Sequence, residues 1–247
     1  KEEIMKKIIL VLSLLMGILL VGCGSKKDEK KVVYVGTNAE FAPFEFLEGD
    51  KVTGFDMELI AEIGKVAGFE VEVKNQAFDG LLPALQSGKI DLIIAGMTVT
   101  DERKKAVDFS ESYYTASQVI IVPADNAAIK SFDDLKGKNV GVQIGTTGDT
   151  VISEIKEITN TKYNNGSEAV LALTTQKVDA VVIDNEPAKN FVAKNTGLKV
   201  VDTGAVKEDY AIAIAKGNKE LLDKVNTGLK TLKENGKYDE LIAKWFK

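Results

Sequence analysis

The amino-acid sequence predicts an α/β protein. Short runs rich in β-branched residues alternate along the chain with stretches whose apolar residues are spaced by three and four. The strand-like runs are continuously apolar, which is typical of parallel strands that helices cover on both faces. From residue 31 to residue 247 the chain is long enough for one large domain or two modest ones.

The predicted elements follow in chain order. The β-branched runs predict strands at residues 31–36, 71–74, 90–95, 118–122, 139–143, 179–183, 199–201 and 210–215. Helical spacing joins Phe55, Leu59, Ile60, Ile63 and Val66, and then Leu82 and Leu85. Thr100 is predicted to cap a further helix, and the turn at residues 145–148 to open another. Because ligands of such sheets bind beyond the carboxyl ends of strands, the loops of interest follow Val35, Ala95, Gln143 and Ile183.

The N-terminal part is predicted to direct and anchor the protein. Two lysines precede an apolar run at residues 8–21, which is too short to span a bilayer comfortably but suits a signal peptide, predicted at residues 1–22. Cys23 is the only cysteine, and the tetrapeptide that it ends resembles a bacterial lipobox. It is therefore expected to carry lipid, with residues 23–30 as a polar tether. The predicted location is extracytoplasmic, on a bacterial membrane as a lipoprotein, and the alternative is an uncleaved membrane anchor.

Composition excludes several classes of function. The net charge is −5 and no basic block is present, which is unfavourable for nucleic-acid binding. The chain has no histidine, so a Ser-His-Asp triad and most zinc sites are closed to it. No metal or other cofactor is predicted.

Arg103 is the only arginine in a chain whose other basic residues are all lysine. A guanidinium grips a carboxylate through two parallel hydrogen bonds, which an ammonium cannot imitate. One interpretation of Arg103 is therefore a clamp for a ligand carboxylate. The other is a solvated charge on a helix face.

The loops at the predicted strand ends suit a small zwitterion. The loop after the first strand holds three phenylalanines, Phe41, Phe44 and Phe46, which are usually core residues but can wall a ligand. The amides at residues 145–148 are expected to accept an anion or only to start a helix. Asp184 ends an apolar strand, where a carboxylate is costly without a cation, either a ligand ammonium or a structural lysine.

Four segments together resemble the polar amino-acid substrate-binding proteins of bacterial ABC importers, a group that includes glutamine-binding and lysine/arginine/ornithine-binding proteins. The resemblance extends from about residue 32 to residue 246. It is carried by Phe44-Glu45-Phe46 with Gly54-Phe55-Asp56, by GMTVTDERKKAVDFSESYY at residues 96–114, by residues 179–184 and by Lys244-Trp245-Phe246.

The resemblance implies a periplasmic-binding-protein-like fold, in which two α/β lobes joined by two hinge strands close on a ligand. The implied first lobe comprises residues 31–113 and 212–247, and the second comprises residues 114–211. The implied partners are a free L-amino acid, the membrane subunits of an ABC permease and, through Cys23, membrane lipid. A monomer that does not bind nucleic acid is expected.

The resemblance also implies roles at the site. Arg103 would hold the α-carboxylate of the ligand, and Asp184 would receive the α-ammonium from the other lobe. The residues that would assist Arg103 are Gly96, Thr98 and Thr147, the aromatic pair around the ligand side chain is Phe41 and Phe78, and the remaining predicted ligand-binding residues are Asn38, Glu40, Met97, Gln143 and Thr146.

The departures from the family concern specificity. Asn38 stands where both relatives place an aspartate, and Gln143 stands where the glutamine-binding protein has a lysine. Loss of the aspartate disfavours a cationic side chain. However, Glu40 points to the same side as Asn38 if the loop is extended, and it would restore the charge. The prediction is a basic amino acid, arginine or lysine, and the alternative is glutamine or another neutral polar amino acid with Glu40 as a surface carboxylate.

Two other classes of function use the same scaffold. A dehydratase-like enzyme would need an acid or base such as Glu40, Asp79 or Glu186, but no paired acid–base constellation is visible in the sequence. A surface adhesin or receptor-linked sensor is the other alternative. The protein is predicted not to be an enzyme.

Overall fold

Two β-sheets, each packed against helices, organise the chain. The structure is a computed structural model that describes residues 31–202, 204 and 207–246. The predicted signal peptide, Cys23 and the tether lie outside the described residues. Among the helices that are described, none combines the length and the apolar character needed to cross a membrane. The predicted α/β class with two sheet-containing lobes is confirmed.

The strands in chain order are β1 (Lys31–Thr37), β2 (Glu40–Phe41), β3 (Glu45–Glu48), β4 (Lys51–Thr53), β5 (Phe69–Asn75), β6 (Leu92–Ile93), β7 (Val107–Phe109), β8 (Tyr114–Pro123), β9 (Asn139–Gln143), β10 (Thr159–Tyr163), β11 (Ala180–Asp184), β12 (Leu198–Val201), β13 (Lys207–Tyr210) and β14 (Ala213–Ala215). The helices are α1 (Phe55–Ala67), α2 (Leu81–Gln86), α3 (Asp101–Ala106), α4 (Thr147–Glu154), α5 (Gly166–Thr174), α6 (Asn185–Lys194), α7 (Lys219–Glu234) and α8 (Lys237–Trp245), with short 3-10 turns at Phe78–Gly80 and Phe132–Leu135.

The first lobe is built on a five-stranded sheet in the order β5-β1-β6-β14-β7. β5 and β6 run parallel to β1, whereas β14 runs antiparallel to β6 and β7. Helix α1 packs on β5 and on α7. It ends at Gly68, whose left-handed backbone lets its N–H donate to the carbonyl of Gly64 at 2.9 Å. The antiparallel strands β2, β3 and β4 form a separate small sheet.

The second lobe is built on a sheet in the order β10-β9-β11-β8-β12. β9, β10 and β11 are parallel, and β8 runs antiparallel to β11 and β12. Helices α4 and α5 pack on β9 and β11. The parallel strands of each lobe direct their carboxyl ends, and the loops that follow, towards the cleft between the sheets.

The chain crosses between the lobes twice, through what we call the crossover ribbon. This ribbon consists of residues 114–117 of β8 paired with the antiparallel strand β13. The predicted single strand at residues 210–215 is wrong, because Tyr210 ends β13 in the ribbon whereas Ala213 begins β14 in the first lobe. The run from Tyr210 to Ile214 is buried throughout, so its hydrophobic pattern does not mark the crossing.

The expectation of parallel sheets is also only partly right. The main sheet of each lobe is mixed, because β8 runs antiparallel to β11, and β14, the strand that follows the second crossing, runs antiparallel to β6. Sequence patterns did not predict the small sheet, β7 or β10. The strand β10 reads Thr-Asn-Thr-Lys-Tyr and contains no aliphatic residue, so it lacks the apolar run on which the prediction rested.

An aromatic cluster joins the first lobe to the crossover ribbon. Phe44 is fully buried and its ring centroid lies 4.9 Å from that of Tyr114, 5.2 Å from that of Tyr210 and 5.1 Å from that of Phe246. Truncating a buried ring of this kind typically costs about 3–5 kcal/mol. Of the three loop phenylalanines, Phe44 is thus a core residue, and Phe46 packs on Trp245 at 5.9 Å.

Candidate functional site

A cavity lies between the two lobes. Its volume is about 300 Å³ including space that opens to solvent, and the loops that follow β1, β6, β9 and β11 supply most of its wall. The lining residues are Asn38, Phe41, Glu45, Phe78, Ala95, Gly96, Thr98, Arg103, Gln143, Thr146, Thr147 and Asp184. The structure therefore brings ten of the twelve predicted ligand-binding residues to one cavity.

Arg103 lies in the wall of the cavity with only 9% of its surface exposed. Thr100 caps α3 by accepting a hydrogen bond from the Arg103 backbone N–H at 3.1 Å, which fixes the start of the helix that carries this side chain. The guanidinium donates from Nη1 to the carbonyl of Thr98 at 2.7 Å and from Nη2 to the carbonyl of Gly145, in the other lobe, at 3.0 Å. Its carbon Cζ lies 5.5 Å from the centroid of the Phe78 ring.

The solvated-charge interpretation of Arg103 is therefore wrong for this structure. Burial lowers the pKa of Arg103, and the nearby carboxylates of Glu208 and Asp184 oppose that shift. A guanidinium has five N–H donors, of which two bond to protein carbonyls, so donors remain for a ligand.

Gly96 lies so close to the ring of Phe41 that no side chain fits at this position. Its φ is +51°, and a Cβ at this position would lie 2.7 Å from the Phe41 ring. Its backbone N–H donates to Asp56 Oδ2 at 2.9 Å, and the hydroxyl of Tyr113 donates to the same oxygen at 2.8 Å. The Gly96 N–H is thus already used inside the first lobe.

Thr98 presents backbone groups towards Arg103. It pairs with Tyr210 between two flanking hydrogen bonds, from Val99 N–H to Asp209 and from Ala211 N–H to Met97. At such a position both N–H and C=O point away from the partner strand. The carbonyl accepts from Arg103, so the Thr98 N–H lies on the same edge as the clamp.

Asp184 is a buried acid at the junction of β11 and α6. It accepts a hydrogen bond from the Tyr210 hydroxyl at 2.7 Å. Burial, and then the charge of Glu208, raise the pKa of Asp184 to about 7. Among the described residues no lysine or arginine forms an ion pair with Asp184, so the structural-lysine interpretation is not supported.

Two amides join the lobes on another side of the cavity. Gln143 Nε2 donates to Asn38 Oδ1 at 3.0 Å, and Asn38 Nδ2 donates to the carbonyl of Gln76 at 3.0 Å. Gln143 also donates to the carbonyl of Asn164 at 3.3 Å. The two residues that depart from the family are thus each other's partners.

Two predicted site residues do not line the cavity. Met97 is fully buried in the core of the first lobe. Glu40 is exposed, and its Oε2 atom lies 3.5 Å from Ser167 Oγ, outside the cavity. The expectation that Glu40 follows the direction of Asn38 is wrong, because the N–H of Glu40 donates to the Asn38 carbonyl at 2.7 Å and forms a three-residue turn in place of an extended chain.

The sequence did not single out two buried acids, Glu45 and Glu208. Glu45 is 1% exposed and lines the cavity beside Phe41, its partner across the β2–β3 pair. Burial, and then the neighbouring Asp56, raise the pKa of Glu45 well above its ordinary value. The position of Glu45 between Phe44 and Phe46 was a usable signal, because a charge inside an apolar run demands a partner. Glu208 stands in the polar run Lys-Glu-Asp-Tyr, which gives no such signal.

Comparison with known proteins agrees with this architecture. The family model for bacterial extracellular solute-binding proteins, family 3, matches residues 33–247. The arginine-binding extracellular protein ArtP of Bacillus subtilis (strain 168) is 38% identical over 253 residues, and the alignment covers 98% of each chain.

Two solved structures are similar throughout. An ancestral arginine-binding protein bound to arginine is 46% identical with a TM-score of 0.84, over 88% of this chain and 99% of that chain. The ancestral amino acid-binding protein AncCDT-1, a precursor of cyclohexadienyl dehydratase, is 42% identical with a TM-score of 0.81, over 87% of this chain and 96% of that chain.

The chain belongs to family 3 of the bacterial extracellular solute-binding proteins. The family resemblance inferred from the sequence is thereby confirmed. The family is one of extracellular proteins, so the protein works outside the cytoplasm.

Proposed function

We propose that the protein captures a basic amino acid, arginine or lysine, and delivers it to the membrane subunits of an ABC permease. The family match and the arginine-binding relatives support the class of ligand. The observation that carries the proposal is an excess of acidic groups at the cavity. Among the residues that the structure describes, one cation, Arg103, lines it together with the carboxyls of Glu45 and Asp184.

The α-groups of a bound amino acid account for part of this charge. The α-carboxylate would lie against the free donors of Arg103, the Thr98 N–H and the first amides of α4, where a helix N-terminus favours an anion. The α-ammonium would lie against Asp184 and remove the cost of burying that carboxylate. These two contacts neutralise one charge of each sign and leave Glu45 unmatched.

Glu45 is the group that favours a cationic side chain. Neither of its carboxylate oxygens receives a hydrogen bond from another described residue, although Asp56 lies beside it. Two adjoining buried carboxyls are stable only while a proton is held between them. A guanidinium or ammonium would take the place of that proton and pair with Glu45. We therefore assign to Glu45 the role that the sequence suggested for Glu40.

We propose that the lobes comprise residues 31–113 with 212–247, and residues 114–211, and that they close on the ligand. In support, Arg103 bonds to Gly145 and Gln143 bonds to Asn38 across the cleft. The carboxylate and ammonium partners of the ligand come mainly from different lobes, so the closed form gains affinity that the open form lacks.

The second candidate is a glutamine-binding protein. The Asn38–Gln143 pair offers neutral amide groups, and a protonated Glu45 can donate to a side-chain carbonyl. Titration calorimetry with arginine, lysine, histidine and glutamine distinguishes the candidates. We expect arginine or lysine to bind most tightly, and tighter binding of glutamine would overturn the basic-ligand proposal. NMR spectra of the same samples would show whether the amino acids are chemically converted, and such conversion would instead identify an enzyme.

We also propose that lipid on Cys23 anchors the protein to the membrane. The support is the apolar run at residues 8–21 that precedes this only cysteine. Cys23→Ser is expected to release the protein from membranes and to leave its affinity for the amino acid unchanged, because residues 23–30 separate the lipid from the binding lobes. A Cys23→Ser protein that still sediments with carbonate-washed membranes would contradict this.

A further inference from the structure

Asp149 is a buried acid that lies outside the lining of the cavity and that the proposed binding contacts do not use. It stands in the first turn of α4 and is 7% exposed. Its Oδ1 atom forms an ion pair with Lys162 Nζ at 2.9 Å and accepts hydrogen bonds from Asn160 Nδ2 at 2.9 Å and from Ser153 Oγ at 3.1 Å. Its Oδ2 atom accepts from the backbone N–H of Gly145 at 3.1 Å. One of its two oxygens thus serves the loop that follows β9.

Gly145 is the point at which this loop meets the carboxylate clamp. Its carbonyl accepts from Arg103 Nη2 at 3.0 Å. Its φ is +77°, and a Cβ at this position would lie 3.2 Å from Asp79 Cβ, so the tip of the loop lies against the first lobe. Because glycine has wide conformational freedom, its carbonyl keeps one direction only if neighbouring groups hold it. The N–H and the carbonyl of Gly145 flank the same Cα, so the bond from its N–H to Asp149 restrains the direction of the carbonyl.

The Gly145 carbonyl in turn restrains the plane of the Arg103 guanidinium. Nη1 is held by the carbonyl of Thr98 at 2.7 Å and Nη2 by the carbonyl of Gly145. A planar fork that is held at two nitrogens has a fixed direction for its other N–H donors. With the Thr98 bond alone, the guanidinium could swing about that one hydrogen bond. The direction of the donors left for a ligand therefore depends on Gly145.

We infer that Asp149 is a positioning residue for the carboxylate clamp: it holds the Gly145 N–H, which directs the Gly145 carbonyl at Arg103 and so orients the guanidinium towards the ligand carboxylate. The inference rests on the proposed function, in which Arg103 holds the α-carboxylate. It adds to that function a residue that acts on the ligand only through other residues.

Asp149→Asn tests the inference, because it keeps the shape of the side chain but leaves one oxygen. Burial alone would raise the pKa of Asp149, but hydrogen bonds from Lys162, Gly145 and Asn160 lower it, so the native carboxylate is ionised and accepts at both oxygens. In the variant the single oxygen is expected to turn towards the three donors from Lys162, Asn160 and Ser153. That orientation places the NH₂ group against the Gly145 N–H, donor against donor, and the Gly145 bond is lost.

NMR can report the orientation of Arg103 directly. Arg103 is the only arginine of the chain, so labelling the protein with isotope-labelled arginine gives guanidinium signals from this residue alone. In protein saturated with unlabelled L-arginine, we expect separate Nη1 and Nη2 signals, because hydrogen bonds at both nitrogens slow the rotation of the two NH₂ groups. In Asp149→Asn the Nη2 signal should broaden and move towards that of Nη1. Calorimetry should show at least about fivefold weaker binding of arginine.

Lys162→Gln is the matched control. It removes the ion pair at the other oxygen, in which the Lys162 side chain is 46% exposed, and it leaves the bond to Gly145 in place. The Arg103 signals should stay as they are and the affinity for arginine should change by less than about twofold. A second variant, Asp149→Glu, keeps the negative charge but moves the carboxylate by one methylene away from its position beside Gly145. It should give the same changes as Asp149→Asn, and it keeps the inference testable if Asp149→Asn does not fold, which circular dichroism would show.

The outcomes separate this inference from the proposed function. If the unaltered protein binds neither arginine nor lysine, the proposed function fails, and the same NMR comparison with unlabelled glutamine then decides the inference. If Asp149→Asn binds arginine more weakly but its Arg103 signals match those of the unaltered protein, Asp149 serves only the stability of the second lobe and the inference is overturned. Unchanged affinity for arginine in Asp149→Asn would overturn it as well.

Discussion

Replacing Arg103 by lysine keeps the positive charge but removes the planar fork. In the structure the guanidinium is nearly buried, lines the cavity, and uses two of its five N–H donors on one carbonyl in each lobe. A lysine ammonium cannot bond to both carbonyls and also hold two ligand oxygens in parallel. At least one charged hydrogen bond to the ligand is lost. Hydrogen bonds of this kind contribute about 1.5–3 kcal/mol each, so we expect Arg103→Lys to cost about 2–4 kcal/mol of binding free energy.

That cost corresponds to roughly 30- to 700-fold weaker binding, which titration calorimetry with arginine measures directly. Lys104→Arg is the matched control, because Lys104 is exposed on the same helix and reaches Asp101 at 3.4 Å. It should bind like the unaltered protein. Near-normal affinity in Arg103→Lys would show that charge alone is sufficient, and would refute the assignment of Arg103 as a carboxylate clamp.

Three further predictions concern Glu45, Asp184 and Gly96, which line the cavity. Glu45→Gln should weaken arginine binding by about 1.5–3 kcal/mol and leave glutamine binding nearly unchanged, whereas Glu40→Gln should alter the binding of neither amino acid. Calorimetry that shows an equal loss of arginine affinity in the two variants would restore Glu40 as the partner of the cation. Because the pKa of Asp184 is raised to about 7 and the ligand ammonium needs its charged form, arginine affinity should fall by up to about tenfold per pH unit below 7. Calorimetry at pH 5.5 and 7.5 tests this, and equal affinities would contradict it. Gly96→Ala should lower the free energy of unfolding by about 1–3 kcal/mol and also impair binding, because its methyl group would meet the ring that walls the cavity. The control is Gly88→Ala, because Gly88 has a φ of +71° but open space around its Cα, so this variant measures the cost of the backbone strain alone. If urea unfolding shows the same loss of stability in Gly96→Ala and Gly88→Ala, the clash with the ring is excluded.

The raised pKa values also set the stability of the ligand-free protein. For Asp56, whose pKa is raised to about 6 by burial, and for Asp184, the folded state binds protons more tightly than the unfolded state. Their contribution is fully present below about pH 4 and is lost as the pH rises through the raised values. A cationic ligand favours the ionised form of Asp184, so it offsets this loss of folding stability most at the pH values where Asp184 is ionised. The stabilisation that arginine gives should therefore increase between pH 5 and 7.5.

The site residues that the sequence identified could be recognised without knowing how the strands pair in the fold. Arg103 is the only arginine of the chain, and Asp184 ends an apolar strand, so composition and strand pattern were sufficient. The loops after four predicted strands were identified as the loops of interest for ligand binding, and residues from all four line one cavity, because the carboxyl ends of parallel strands lie at one edge of a sheet.

The residues that the sequence misplaced depend on local turns and on pairing across the fold. Glu40 is turned away from the cavity by a backbone hydrogen bond between residues two apart, which side-chain alternation does not encode. Glu208 reaches the site only because β13 pairs with residues 114–117 in a register that turns its side chain inward and that of Asp209 outward. Residues 207–209 are polar and residues 210–214 are continuously apolar. This pattern shows neither the register of β13 nor the point at which the chain crosses between the lobes.

The central claim is that the cavity holds a basic amino acid between Arg103 and Glu45. The most direct measurement is a crystal structure of the protein with arginine. We expect the α-carboxylate to accept two hydrogen bonds from Arg103, and the ligand guanidinium to lie within hydrogen-bond distance of Glu45. A guanidinium directed instead to Glu40 or to solvent, or an arginine bound outside the cavity, would contradict the claim.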